Sequence, residues 1–392
     1  MDFKEMFDRG VDRRNGDSYK WDSSMPDDVL PLWVADMDFA TAPVVIDALR
    51  RRVEKGAFGY VKVPEEYYDA VIGWFARRHD WNIARKSILY TSGVVPALSA
   101  TIKALTEPGD KVIVQTPVYN CFFSSIRNNG CEVLENRLIY GDGTYRMDFD
   151  DLAEKASDPK ARLLLLCNPA NPAGRVWTRD ELIRLAEICR ENGVTVVSDE
   201  IHCELVYPPR RYTPFGSLGD GLADHAVVCV SPSKAFNTAS LQIASIIAPD
   251  DSMRRRIDRA ININEVCDVN PFGIAATIAA YNEGLPWLEA LIDYLRGNYE
   301  MMADYCRKNL PQFPLCRLEG TYLVWMDCSV LGKSSDTLEE ELLEREHLWI
   351  NSGSMYGTDG FLRWNIACPR SRLSEALRRF ARYSSSSGAV NT

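Results

Sequence analysis

Several stretches of this 392-residue chain combine residue types that could do chemistry. In Ser231-Pro232-Ser233-Lys234-Ala235-Phe236-Asn237, two hydroxyls stand beside a lysine just after an apolar, β-branched run. Hydroxyls hydrogen-bond phosphate oxygens, and an amine condenses with an aldehyde. The segment therefore suits a ligand that carries both a phosphate ester and a carbonyl. A polar turn with a surface lysine is the other reading. In Val196-Val197-Ser198-Asp199-Glu200-Ile201-His202, two acids close a very apolar run. A carboxylate at that point can pair with a protonated ring nitrogen, or it can cap a helix. Cys167-Asn168-Pro169-Ala170-Asn171-Pro172-Ala173-Gly174 carries two Asn-Pro steps, which fit neither a regular helix nor a central strand. It reads as a shaped loop in which Asn171 either donates to a ligand oxygen or only builds the turn. Thr91-Ser92-Gly93-Val94-Val95-Pro96-Ala97-Leu98 is a glycine turn opening a helix that Pro108-Gly109 ends. Such a turn presents free backbone N–H groups to an anion, and lone glycine turns are also common as plain structure. Tyr119, in Thr116-Pro117-Val118-Tyr119, either stacks on a planar ligand or packs in the core.

The elements that must position these segments follow from the hydrophobic pattern. Lys111 to Thr116, Arg162 to Cys167, Val194 to Ser198 and Ala226 to Val230 are short apolar runs that read as buried strands. Between them lie helical periodicities. The clearest is Asp180 to Glu191, with Thr178 and Glu181 as a capping box and Gly193 as a stop. Strands alternating with helices indicate an α/β fold with a mostly parallel central sheet. In such sheets ligands bind at the carboxyl ends of the strands, and the stretches named above follow strand ends. The pattern divides the chain into a large domain over 46–287 and a smaller α+β domain from 1–45 and 288–383. The smaller one carries a helix over Leu288 to Asn309, a strand over Gly320 to Met326 and a helix over Asp336 to Glu346. The polar stretch 384–392 reads as a disordered tail.

Bulk composition narrows the function class. A net charge of -10 argues against non-specific nucleic-acid binding and against an anionic membrane surface. No apolar run reaches the roughly 18 residues of a membrane span, and the charged N-terminus lacks a signal-peptide core. The eleven cysteines are scattered without a CxxC pair, so no zinc or thioredoxin signature and no metal site is expected. They read as reduced thiols of a cytoplasmic protein. Cys121, Cys167 and Cys203, close to the motifs, read as packing residues.

Taken together, in this order and spacing, the segments resemble the fold-type-I pyridoxal 5'-phosphate (PLP) enzymes of the aminotransferase superfamily, over nearly the whole chain. The resemblance implies Lys234 as the Schiff-base lysine, Asp199 as partner of the pyridine nitrogen, Asn171 at the ring oxygen and Tyr119 stacked on the ring. It places the amides of Val94 and Val95 with Ser231 and Ser233 at the phosphate. It assigns Arg363, in Phe361-Leu362-Arg363-Trp364-Asn365, to the substrate α-carboxylate, which a guanidinium fork suits.

A narrower similarity is to the MalY/PatB subfamily of C–S β-lyases. It is carried by Pro31-Leu32-Trp33-Val34-Ala35-Asp36-Met37-Asp38-Phe39, Phe58-Gly59-Tyr60, Ser92-Gly93-Val94-Val95-Pro96, Asp199-Glu200-Ile201-His202 and Ile366-Ala367-Cys368-Pro369-Arg370. His202 stands where many aminotransferases have Tyr, and it is either a ring-oxygen contact or a packed histidine. Gln242 stands where they usually have a phosphate-binding Arg. The subfamily commonly reads S-K-T-F-N-x-A-G-L, whereas Ala235 and Ser240 depart from that pattern here. The similarity implies β-elimination of cystathionine or a related cysteine thioether to thiol, pyruvate and ammonia. It also implies a homodimer in which Tyr60 reaches the partner subunit's cofactor. The alternatives are an aminotransferase on the same scaffold and an added MalY-like binding of a transcription regulator.

Overall fold

The computed structural model describes residues 2–14, 16–21, 24–265 and 269–386. A seven-stranded sheet forms its centre. In spatial order the strands are Ile88–Thr91, Ala244–Ile247, Val227–Val230, Thr195–Asp199, Ala161–Cys167, Lys111–Val114 and Glu132–Glu135. Ala244–Ile247 runs antiparallel to both neighbours. The other pairs are parallel, so the expected mostly parallel sheet is the observed one.

The continuous apolar runs have a physical reason. The sheet is covered on both faces, so successive residues enter different cores. Leu163, Leu165 and Val197 pack with Val94, Leu98 and Ile102 of the Val94–Leu105 helix. Leu164, Leu166 and Val196 pack on the other face with Leu182 and Leu185 of the Arg179–Glu191 helix. Each fully buried leucine contributes about 1.5–3 kcal/mol. The Arg179–Glu191 helix opens on the expected capping box. The Thr178 hydroxyl accepts from the Glu181 amide, and the Glu181 carboxylate accepts from the Thr178 amide.

The second sheet is antiparallel, with Phe361–Asn365 between Leu323–Asp327 and Asn351–Ser352. Arg363 lies opposite both Trp325 and Asn351. The N-terminal arm joins this part of the chain, because Leu30–Pro31 pairs in parallel with Leu348–Trp349. Residues 32–39 then cross toward the large sheet. Asn237 anchors them through the Met37 amide and the carbonyls of Met37 and Phe39.

Two boundaries differ from expectation. The strand expected over Gly320 to Met326 is Leu323–Asp327. Gly320 and Thr321 instead turn toward residues 205 and 206, and Thr321 takes a positive φ of 70°. Residues 384–386, expected in a disordered tail, belong to the Arg370–Ser386 helix. Leu373, Leu377, Phe380 and Tyr383 bury one face of this helix. The hydroxyls of Ser384, Ser385 and Ser386 donate to the carbonyls of Ala381 and Tyr383, satisfying the helix end. The rest of the tail, 387–392, lies outside the described residues. Among the described residues no helix is long and apolar enough to cross a membrane.

Candidate active site

The strand registers Cys167↔Asp199 and Asp199↔Cys229 bring three strand ends to one edge. The segments that follow them, with those around residues 92–96 and 119–121, enclose a cavity of about 600 Å³. Gly93, Val94, Val95, Tyr119, Asn171, Asp199, His202, Ser233, Lys234 and Arg363 all line it. Ten residues picked from separate stretches of sequence therefore meet in one place.

One end is built for an anion. Gly93 takes φ 155° as the N-cap of the Val94–Leu105 helix, a conformation that side-chain-bearing residues rarely adopt. No side chain caps this terminus, and Pro96 has no N–H to offer, so the Val94 and Val95 amides and the helix dipole face the cavity. Ser233 and Gln242 complete this end. Ser231 does not line the cavity. Its Oγ donates to the Ile243 carbonyl at 2.6 Å, lies 3.0 Å from Ser233 Oγ and accepts the Ser233 amide. It braces Ser233 from behind.

Lys234 and Asp199 occupy the middle. Lys234 Nζ donates to the Ala35 carbonyl at 2.7 Å. Burial pulls its pKa down, Arg363 adding to the drop while Asp36 and Asp199 oppose it. Asp199 is 3% exposed. Burial pushes its carboxyl up to about 7, with the Ile201 amide and Lys234 holding it back from going further. Among the described residues its hydrogen-bond donor is that amide, at 3.1 Å. His202 is buried against the edge of Tyr322 with Nδ1 unpartnered, and burial holds its pKa well below the usual histidine range. The Tyr119 hydroxyl is driven up by burial, with Cys121 and Asp199 adding to it and Arg363 opposing.

At the other end Arg363 is 3% exposed. Its Nη1 donates to Asn171 Oδ1 at 3.1 Å, its Nη2 donates to the Trp33 carbonyl at 2.7 Å, and it lies 4.8 Å from the Tyr356 ring centroid. Its Nε is buried without a partner. Among the described residues no carboxylate forms an ion pair with it. A buried cation left with neutral partners is costly unless an anion arrives.

Tyr60 is not brought to this cavity within the chain; it is 94% exposed. Of the three cysteines read as packing residues, Cys203 is buried away from the cavity, whereas Cys121 and Cys167 line it. Sequence reasoning also missed chemical roles for Tyr19, Trp33, Ala35, Asn351 and Tyr356, all of which line the cavity. The one signal was the Pro31–Phe39 motif. Its contribution is largely backbone, since the Trp33 and Ala35 carbonyls hold Arg363 and Lys234.

These groups fit PLP. An amide-lined helix terminus with Ser233 matches the phosphate, and an amine matches the aldehyde. A buried carboxylate short of a cationic partner matches a protonated pyridine nitrogen. The unpartnered His202 Nδ1 shows that the enclosed wall is still short of hydrogen-bonding partners.

The comparisons agree with this geometry. The model of the family "Aminotransferase class I and II" matches residues 27–380. The cystathionine beta-lyase PatB of Bacillus subtilis is 41% identical over 379 residues, covering 95% of this chain and 98% of that protein. Protein MalY of Escherichia coli is 34% identical over 379 residues, covering 95% and 96%. The crystal structure of cystalysin from Treponema denticola, which contains PLP, superposes with a TM-score of 0.94 at 33% identity, covering 97% of this chain and 98% of that one. Matched by that family model over residues 27–380 and by these relatives over nearly its whole length, the chain belongs to the class I and II aminotransferase family and groups there with PatB and MalY.

Proposed function

We propose that this protein is a PLP-dependent C–S β-lyase that converts a cysteine thioether and water into a thiol, pyruvate and ammonium. The observation that carries this reading is the buried Arg363, without an acidic partner, in the same cavity as Lys234 and Asp199. The names of PatB and cystalysin's PLP content support the same class. Bound PLP supplies an electron sink that stabilises negative charge at the substrate α-carbon.

The chain's own residues do the rest. The Val94 and Val95 amides and Ser233, braced by Ser231, hold the phosphate. With PLP bound, the Asp199 carboxylate would hold the proton on the ring nitrogen, Asn171 and His202 would offer hydrogen-bonding partners to it, and Tyr119 would pack on it. Lys234 Nζ is the amine that would hold the cofactor's aldehyde. The same atom would take the substrate's α-proton, and its lowered pKa favours the neutral base. The Cβ–S bond then breaks with its electron pair leaving on sulfur. Arg363 grips the α-carboxylate, and the Trp33 carbonyl and Asn171 keep the guanidinium in place. That grip sets the Cα–H bond toward Lys234.

Arg363→Ala is expected to lower kcat/KM by about 10²-fold or more while PLP is retained, since it strips a buried charge from its partner. Arg363→Lys should recover only part, because an ammonium lacks the fork. An unchanged kcat/KM would remove Arg363 from the carboxylate site.

Tyr60 enters through a homodimer in this reading. A 94% exposed tyrosine beside a 61% exposed Phe58 is an apolar surface suited to a second subunit. Tyr60→Phe should lower kcat by about tenfold in an enzyme that sediments as a dimer. Full activity in that variant, or in a monomer, contradicts it. A cytoplasmic setting suits the ten described cysteines, all free.

The function itself is tested by incubating holoenzyme with L-cystathionine without any keto acid. Pyruvate and free thiol in equal amounts establish elimination. Their absence, together with conversion of an added keto acid into an amino acid, would establish transamination instead.

A further inference from the structure

Resting on the lyase reading, we infer that the preferred substrates are cysteines whose sulfur carries an uncharged apolar or aromatic group, in preference to one bearing a second amino-acid head. Arg363 marks the substrate end of the cavity. The side chains beside it are aromatic. The Trp33 carbonyl accepts from Arg363 Nη2 at 2.7 Å and from Asn351 Nδ2 at 3.0 Å, which fixes that residue to the carboxylate site. The Trp33 ring stacks on Trp349, with centroids 4.2 Å apart and planes 12° apart. On the rim, Tyr19 lies 5.0 Å from the same ring and lines the cavity while 77% exposed. Tyr19 and Trp33, the latter backed by Trp349, form an aromatic wall beside the arginine.

Charge is scarce along that wall. The Asp, Glu, Lys and Arg side chains lining the cavity are Asp199, Lys234 and Arg363. The first two face the cofactor and the last is taken by the α-carboxylate. An acid stands behind the Trp33–Trp349 stack. Glu339 accepts from Trp349 Nε1 at 2.9 Å and from the Ser352 amide at 2.6 Å, so both of its oxygens are engaged. A second carboxylate on the leaving group would meet aromatic faces, with no further cation among the described residues that line the cavity to receive it. Bringing a zwitterion there without partners is unfavourable, whereas a flat or alkyl group gains contact with Trp33 and Tyr19.

The test compares S-benzyl-L-cysteine, L-cystathionine and L-cysteine on the holoenzyme, following pyruvate. The expected kcat/KM for S-benzyl-L-cysteine exceeds that for L-cystathionine by about tenfold or more. Tyr19→Ala and Trp33→Ala should each lower the S-benzyl-to-cysteine ratio of kcat/KM by about threefold to tenfold. The ratio cancels any general disturbance of Arg363, and exposed Tyr19 is replaceable without loss of fold. An equal or higher kcat/KM for cystathionine, or ratios that both variants leave unmoved, would overturn the inference and leave the lyase reading standing. Pyruvate from none of the three substrates would overturn the lyase reading itself.

Discussion

Replacing Lys234 with alanine will reduce β-elimination by about 10⁴-fold or more, because one atom performs two tasks. In the proposed mechanism Nζ is both the covalent attachment for the cofactor and the base for the α-proton, so no neighbouring group can take over half of its work. Among the described residues its own hydrogen bond runs to the Ala35 carbonyl. Its other electrostatic neighbours, Asp36, Arg363 and Asp199, act at longer range. Removing a desolvated ammonium that lacks an ion-pair partner costs the fold little. The variant is therefore expected to melt within a few degrees of the wild type, while its bound cofactor loses the absorbance of the lysine adduct. Retained elimination would show that the base is another residue. A collapse of thermal stability would show that Lys234 is also a structural residue.

The second large effect is at Asp199. Asp199→Asn keeps the shape and the acceptor for the Ile201 amide but removes the charge that holds a proton on the ring nitrogen. Losing one preorganised electrostatic partner of this kind lowers kcat by about 10²–10³-fold, with α-proton removal becoming the slow step. A solvent-independent kinetic isotope effect on the α-deuterated substrate would report that change.

The same substitution has a stability signature in the cofactor-free protein. The Asp199 carboxyl is raised to about 7 by burial. In the folded state ionisation is disfavoured relative to the unfolded chain. The stability this group allows is fully present below the ordinary carboxylate range and is lost as pH rises toward 7. Asp199→Asn removes that loss. Without cofactor, the variant should melt above the wild type at pH 8, with the gap narrowing as pH falls to about 4. A gap that widened toward low pH would contradict the burial argument.

Much of this site was legible because its chemistry is carried by side chains at strand ends. Asp199 closes a strand, and Ser233, Lys234 and Asn171 follow strand ends directly, so apolar runs told where they would converge. Arg363 was different. Nothing in Phe361–Asn365 separates it from a strand-edge charge, and only the resemblance singled it out. Its buried setting, without an ion-paired acid among the described residues, became visible once Asn351 and Trp325 flanked it. Backbone roles left no trace in residue type. The Ala35 and Trp33 carbonyls could belong to any residues whose strand crosses that point. Ser231 and Ser233 look equivalent in sequence, yet the chain turns between them after the strand ends at Val230, sending Ser233 into the cavity and leaving Ser231 on the Ile243 carbonyl. The serine-rich end of the chain misled for a related reason. Polar composition suggests disorder, but Phe380 and Tyr383 bury their faces and the serine hydroxyls close the helix.

The proposed mechanism requires Lys234 to carry the cofactor in this cavity. Borohydride reduction of the holoenzyme, followed by tryptic digestion and mass spectrometry, tests this directly. The account predicts a phosphopyridoxyl group on the peptide spanning 212–254, left uncut at Lys234. A modified lysine elsewhere, or holoenzyme that active-site reduction leaves fully active and unmodified at Lys234, would contradict it.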